Sequence, residues 1–353
     1  GVAHFVPNLA MSFLGGALAD TRDRRLVIAV AQIAPFSASL LLAALTATGT
    51  ISLTAIYLAV GFTGLASAFD GPARGSLLPQ VVARTSFQRA VTVSNVATQL
   101  ARVLGPAAAG LLIAQFDVAP VYLLHVGMVL VGLAFLAGIT IPASSNPTAR
   151  LNLALVKEGF AFMWSHPAIL GTMTLDMFAV IFAGVDALLP IYARDILGVG
   201  AAGYGLLASA KAVGALITSV TLTFLPPIVG TGRVLVITLA LYGLATIGFG
   251  LSVWFPLSLI LYGLTAVFDQ VGVVVRQSII QLGTPDALRG RVNAANQLFI
   301  ASSNQLGPVE SGLVATWTSS AVFAVVTGGI GCVAAVAVIA ALIPALWHHR
   351  SEP

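Results

Sequence analysis

Long apolar runs, each bounded by charged residues or turn formers, recur along the whole chain. They predict eleven helices near residues 3–19, 26–47, 51–77, 88–115, 119–141, 168–192, 202–225, 233–253, 256–281, 290–316 and 320–346. Runs of about 20 such residues match the thickness of a bilayer's hydrocarbon layer. Backbone groups in that layer have no water to bond, so runs far longer than barrel strands are expected to be membrane helices. The expected fold is therefore an all-α integral membrane protein.

One long interruption divides the pattern. Residues 142–167 open with Ser, Asn and Pro, then turn amphipathic from Leu151 to Trp164, with Lys157 and Glu158 on the polar side. This segment is read as a linker whose second part lies along the inner membrane surface. The expected organisation is an N-terminal bundle over 1–141, the linker over 142–167, a C-terminal bundle over 168–347 and a cytoplasmic tail over 348–353.

The two bundles share a sequence repeat. Arg74, Arg89, Gly105-Pro106, Gly110 and Leu111 recur as Arg276, Arg291, Gly307-Pro308, Gly312 and Leu313, every pair offset by 202 residues. In polytopic membrane proteins such repeats mark two pseudo-symmetric bundles around a central site. The second bundle holds six predicted helices and the first five, so a symmetric protein of twelve requires one helix before Gly1.

Composition agrees with the pattern. The chain is 58% hydrophobic and 8% charged, with mean hydropathy +1.00. Its net charge is +4, but the basic residues lie in short loops between apolar runs, which argues against nucleic-acid binding. Those loops also set the orientation, because Lys and Arg in short loops stay cytoplasmic. With residue 1 outside, the inner loops carry Arg22, Arg24, Arg25, Arg84, Arg89, Arg150, Lys157, Arg233, Arg289, Arg291 and Arg350, while the outer loops carry Arg194 alone. Trp164, Trp254, Trp317 and Trp347 fall at span ends, where amphipathic rings favour the headgroup layer. A bacterial cytoplasmic membrane location with a cytoplasmic C-terminus follows as the expectation.

The loop Gly15-Gly16-Ala17-Leu18-Ala19-Asp20-Thr21-Arg22-Asp23-Arg24-Arg25 resembles the loop signature between the second and third helices of the major facilitator superfamily. Thr21 stands where that signature has a basic residue, and Asp23 where it has glycine. Phe69 to Arg74, Leu188 to Asp195, Arg289 to Val292 and Ser302 to Gly312 resemble the enterobactin-exporter and macrolide-efflux branch. The similarity runs through nearly the whole chain. It implies a twelve-helix exporter driven by the proton gradient, and Gly105-Pro106 with Gly110 resembles the Gly-Pro signature of antiporters.

Ionisable residues within spans are costly unless they face the interior or pair. Asp70 and Arg74, one turn apart, are expected to pair with each other or with Asp20. Asp269 and Arg276 take the corresponding place in the second bundle. With Gly15, Gly16, Asp20, Arg22, Arg24 and Arg25, these four are the candidate cytoplasmic gate. Arg102, Asp176, Asp186, Lys211 and Glu310 are the candidate substrate and proton pathway; a carboxylate in an apolar cavity can load and release a proton, whereas a static Lys211 bridge to Asp186 or Glu310 would cancel that role. His125, near the outer face, is read as structural. Gly105, Pro106 and Gly110, with Gly307, Pro308 and Gly312, are helix-bend and packing positions.

No nucleotide loop, zinc-binding pair or nucleophile elbow is present in the sequence, and Cys332 is the single cysteine. No cofactor, metal or enzyme activity is expected. The combined reading is a monomeric secondary transporter in the lipid bilayer that exports an amphipathic small molecule, drug or siderophore in class, by proton antiport. An importing symporter and a non-transporting scaffold or receptor are the alternatives. The topology has a direct check: with Cys332 removed, single cysteines at Ser144 and Thr231 should react with impermeant thiol reagents from the inside, and those at Thr48 and Ser319 from the outside. Labelling of Thr48 and Thr231 from the same side would overturn the span assignment.

Overall fold

A computed structural model of the chain describes residues 3–139 apart from 5, 9, 12–22 and 83–86, and residues 161–347 apart from 226, 227, 229, 286 and 287. Ten long helices stand out among these residues: α1 (Arg24–Ala47), α2 (Leu53–Val81), α3 (Phe87–Phe116), α4 (Ala119–Ala137), α5 (Pro167–Ala183), α6 (Gly200–Phe224), α7 (Thr231–Leu251), α8 (Phe255–Leu282), α9 (Arg289–Thr318) and α10 (Ala321–Leu342). Nine spans among the described residues are long and apolar enough to cross a membrane. They include every long helix except α9. That helix is 30 residues long, as its predicted span requires, but its Asn, Gln and Ser content makes it the polar one. Most of the first predicted span, 3–19, and residues 151–160 of the amphipathic part of the linker lie outside the described residues, while 161–165 are helical.

The helix starts have local causes. Asp23 caps α1, accepting the Arg25 N–H at 2.9 Å, and Ser320 caps α10 by accepting the Phe323 N–H at 3.1 Å. Proline stands in the first turn of α4, α5 and α8, where its missing donor is harmless. The 202-residue repeat reappears in the backbone. Shifted by that offset, α3 coincides with α9 at both ends, and α2 and α4 start where α8 and α10 start. The joints match as well: Asp117, between α3 and α4, has φ 76°, and Ser319, between α9 and α10, has φ 53°. Among the described residues these are the two side-chain-bearing positions in the left-handed region.

The chain packs as two compact units, Gly1–Ala101 with Leu111–Leu151, and Arg102–Gly110 with Asn152–Pro353. In the first, α1 packs against α2 and α4. Ala3 and His4 approach α2 along Gly61, Gly64 and Ser67, where absent or short side chains let backbones close on each other. Ser39 Oγ and His125 Nδ1, 2.8 Å apart, tie α1 to α4, which gives His125 a structural partner.

In the second unit α7 packs on α8 and α10, and α6 on α8. Helices α7 and α10 meet at Gly243 and Gly329, each of which faces the other's carbonyl oxygen. Around this crossing lies a core of Leu175, Ala179, Leu235, Leu239, Val275, Ile279 and Cys332. Beside that core, Asp176 of α5 and Arg276 of α8 form an ion pair whose side chains are 6% and 5% exposed. Arg276, grouped with Asp269 in the candidate gate, thus has Asp176 as its ion-pair partner. Residues seven apart on one helix are about 10 Å apart along its axis, whereas α5 brings Asp176 directly across. Removing one member of such a pair strands a buried charge, at a cost of about 3–5 kcal/mol, while replacing both by apolar residues of similar size is often neutral. Asp176→Asn should therefore lower the unfolding temperature of the detergent-solubilised protein markedly, and Asp176→Leu with Arg276→Met should recover most of the loss. Equal melting of the single and parent proteins would show that the pair contributes nothing.

Candidate functional site

The span following the linker is apolar throughout, and the sequence predicts one continuous helix over 168–192. The structure breaks it. α5 ends at Ala183, Gly184 leaves helical geometry at ψ 90°, and the chain resumes as a 3-10 turn over Asp186–Leu188, a short α turn over Leu189–Ile191 and a π turn over Tyr192–Ile196. The reason lies in what receives the freed carbonyls. The Tyr242 hydroxyl donates to Ala183 O at 3.1 Å. Gly307 of α9 lies so close to Val180 and Ile181 that a Cβ there would come within 2.9 Å and 3.4 Å of their carbonyl oxygens, and one at Gly328 of α10 would overlap Phe182 O.

The break turns Asp186 out of the helix toward α6 and α8. Lys211 of α6 donates to both of its carboxylate oxygens, at 2.8 and 2.6 Å, and the Tyr262 hydroxyl of α8 donates to Oδ1 at 2.5 Å. The ammonium also stands 5.8 Å from the centre of the Tyr262 ring, within cation–π range. Tyr262 is held by a ladder of rings, since Phe249 lies against both Tyr262 and Tyr192, at centroid distances of 5.1 and 4.7 Å. Tyr192 is anchored in turn by its hydroxyl on Gly250 O, at 2.9 Å. The Asp186 side chain is nevertheless 54% exposed and that of Lys211 32% exposed. A charged pair open to hydrocarbon is strongly disfavoured, so this face of the second unit turns toward water.

The other predicted positions divide. Asp269 lies two turns beyond Tyr262 on α8, where the charges of Lys211 and Asp186 reach it. Glu310 is half-buried, and its Oε2 is enclosed without a hydrogen-bond partner. Arg102 is exposed. Gly307 is a contact position, as described, whereas Gly312 and Gly105 have open space beside them. Gly110 packs on the backbone of Ala201 and Gly205, and in the same segment Val103 O accepts from Ser209 Oγ at 2.7 Å.

In the first unit Arg74 Nε bonds Asp70 Oδ2 at 2.6 Å, and Gln32 of α1 donates to Oδ1 at 3.1 Å. A cavity of about 760 Å³ opens there, with Gln32, Arg74, Ser94 and His125 as its polar lining. At the start of α1, hydrogen bonds from Arg25 hold the Asp23 carboxyl below the usual carboxylate range. Gly15, Gly16, Asp20 and Arg22 lie outside the described residues. The sequence reading passed over Tyr262, Gln32 and Asn296; the last is fully buried with neither end of its amide bonded.

The family described as transmembrane secretion effector matches residues 1–350. Among curated proteins, the enterobactin exporter EntS of Escherichia coli O1:K1 is 27% identical over 281 residues, which span 79% of this chain and 67% of that protein. EntS of Escherichia coli O127:H6 matches to the same extent. Among solved structures, a D-xylose-proton symporter aligns with a TM-score of 0.68 at 16% identity, covering 98% of this chain and 87% of that one. A bacterial homologue of the human lysosomal transporter Spinster, inward-facing and occupied, aligns at 0.68 and 13% identity over 99% and 89%. Such distant likenesses speak for the fold. Repeat, helix bounds and family match converge, and the chain belongs to the transmembrane secretion effector family of major facilitator superfamily transporters.

Proposed function

We propose that this protein exports an amphipathic small molecule across the bacterial cytoplasmic membrane by alternating access, with proton entry as the driving force. The observation that carries the reading is the Asp186–Lys211–Tyr262 cluster: an acid on a broken membrane span, paired yet half-open to water. Discontinuous spans with exposed charge are where transporters place their substrate and coupling-ion sites. The relation to EntS, an exporter by name, supports the outward direction. We place the C-terminus in the cytoplasm, from the loop charges, and take the monomer as the working unit.

Within this scheme the acids take different roles. Asp176 is a structural counter-ion, because Arg276 claims it in a closed site. Glu310, enclosed without a hydrogen-bond partner, is a carrier of the transported proton, and Asp186 is a second one in the states in which its water-exposed bridge to Lys211 opens, so that the bridge is not static. Asp70, Arg74 and Gln32 scaffold the cytoplasmic end of the first unit, where Asp20 and its neighbouring arginines latch the closed gate.

The test uses proteoliposomes with an imposed proton gradient and a fluorescent lipophilic cargo. Asp186→Asn is expected to reduce uphill movement at least about tenfold, a difference of about 1.4 kcal/mol, while downhill exchange survives. Glu310→Gln is expected to weaken coupling in the same direction. Intact proton-driven transport in both variants, and in Asp176→Asn, would remove proton coupling through these acids. Accumulation of cargo on the cytoplasmic side would reverse the direction.

A further inference from the structure

Asp269 stands beside the Asp186–Lys211 bridge without being part of it. Among the described residues its carboxylate has no ion pair and no hydrogen bond, yet the charges of both Lys211 and Asp186 reach it. The packing of α6 on α8 explains why. Ala210 lies against Gly263, and a Cβ at Gly214 would meet the Gly263 carbonyl and stand 3.4 Å from Ala266 Cβ, so the two backbones nearly touch between Lys211 and Asp269. Lys211 is therefore level with Gly263, and Asp269 lies six residues further along α8, about 9 Å along the axis. Helical side chains lean toward the N-terminus, which carries the Asp269 carboxylate back toward that level. The flexible four-carbon stem of a lysine can sweep the rest.

The other groups packed around the bridge offer Lys211 no such alternative. Tyr204 of α6, Tyr242 of α7 and Tyr262 of α8 are neutral phenols, and Cys332 of α10 is a buried thiol. Arg194 and Asp195 on the π turn satisfy each other at 2.6 Å, and Arg276 is held by Asp176. Arg102 is a second cation, exposed beside the Val103–Ser209 contact. The charge of Lys211 reaches Asp269 but not Glu310 of α9.

From this arrangement we infer that Asp269 is the second counter-ion of Lys211: when Asp186 takes a proton the ammonium leaves it for Asp269, and it returns when the proton is lost. Two carboxylates share one ammonium. With both ionised the three groups carry one net negative charge, and a single bound proton brings them to zero. Protonated Asp186 keeps its contact with the Tyr262 hydroxyl, and Lys211 is not left alone in a site of low dielectric. The bridge thus opens without stranding a charge, which is what allows a paired acid to carry a proton. Only the proton and the lysine side chain move in this step. It sets no site for the cargo, so proton entry remains free to drive cargo the opposite way. Asp269 is then a positioning residue for the coupling acid, and the inference rests on the reading of Asp186 as a proton carrier.

Lys157 and Lys211 are the chain's two lysines, so a Lys157→Arg protein carries Lys211 as its one side-chain amine. A water-soluble carbodiimide joins an amine to a carboxylate that touches it and adds no atoms between them. Digestion and mass spectrometry of the Lys157→Arg protein then identify the acid that holds Lys211. At about pH 7.5 the link should run to Asp186, and at about pH 5.5 the ratio of Asp269 to Asp186 links should rise at least about tenfold, as protonation of Asp186 requires. Asp186→Asn, neutral at every pH, should link Lys211 to Asp269 throughout. Links that stay with Asp186 in acid, or a link to Glu310 or to no acid in Asp186→Asn, would overturn the inference.

Transport supplies a second readout. In proteoliposomes Asp269→Asn should slow proton-driven movement of the cargo at least about tenfold, and Asp269→Glu, which keeps the charge, should stay within about threefold of the parent. A rate untouched by Asp269→Asn would also overturn the inference. Lys211–Asp269 links without proton-driven transport would leave the handover standing and remove the exporter reading. Proton-driven export in the absence of those links would do the reverse.

Discussion

Hydrocarbon offers a charge neither water nor counter-ion, so every ionised side chain within these helices depends on what the protein itself places beside it. The structure meets that constraint in three ways. Asp70 and Arg74 pair within one helix, helped by Gln32. Asp176 and Arg276 pair between helices in a closed core. Asp186 and Lys211 pair between helices at an open face. The buried second pair is almost indifferent to what surrounds the protein, whereas Arg74 of the first is itself largely exposed. The third is exposed, and exposure is what gives a proton or a ligand access to it.

The same constraint explains the broken span. A helix end in lipid leaves up to four carbonyls without donors. Here one goes to the Tyr242 hydroxyl, and others are covered by glycine backbone from α9 and α10. With Ala183 O taken up by the Tyr242 hydroxyl, Gly184 can leave the helix and Asp186 turn away from the axis. The aromatic ladder from Tyr192 through Phe249 to Tyr262 then fixes the hydroxyl that meets it.

Much of this was legible from the order of residues, and the limits have physical reasons. Periodic apolar runs and the 202-residue offset anticipated helix bounds that the structure reproduces from α2 to α4 and again from α8 to α10. Asp70–Arg74 was visible because four residues make one turn. Asp176–Arg276 was not, because one hundred residues separate the partners and sequence spacing says nothing about which helices face each other. The break after Ala183 was hidden for the opposite reason: an apolar run looks alike whether its backbone is helical or not, and the cause sits in Gly307 and Gly328 on other helices. Tyr262 gave no signal, since its role depends on a hydroxyl reaching a carboxylate on a distant segment. Asp23, which departs from the loop signature, finds its explanation as the cap of α1.

The contact of α5 with Gly307 and Gly328 has one more consequence. Where side chains interdigitate, ridges lock into grooves, and any sliding must lift one set of atoms over another. Backbone facing bare backbone has no such teeth. At these two glycines the contact is of that toothless kind, whereas on either side the Phe182 ring against Gly331 and Leu175 beside Cys332 and Val336 hold α5 by interlocking side chains. A methyl group at either glycine would therefore wedge α5 away from its neighbours at the very turn from which the broken span departs.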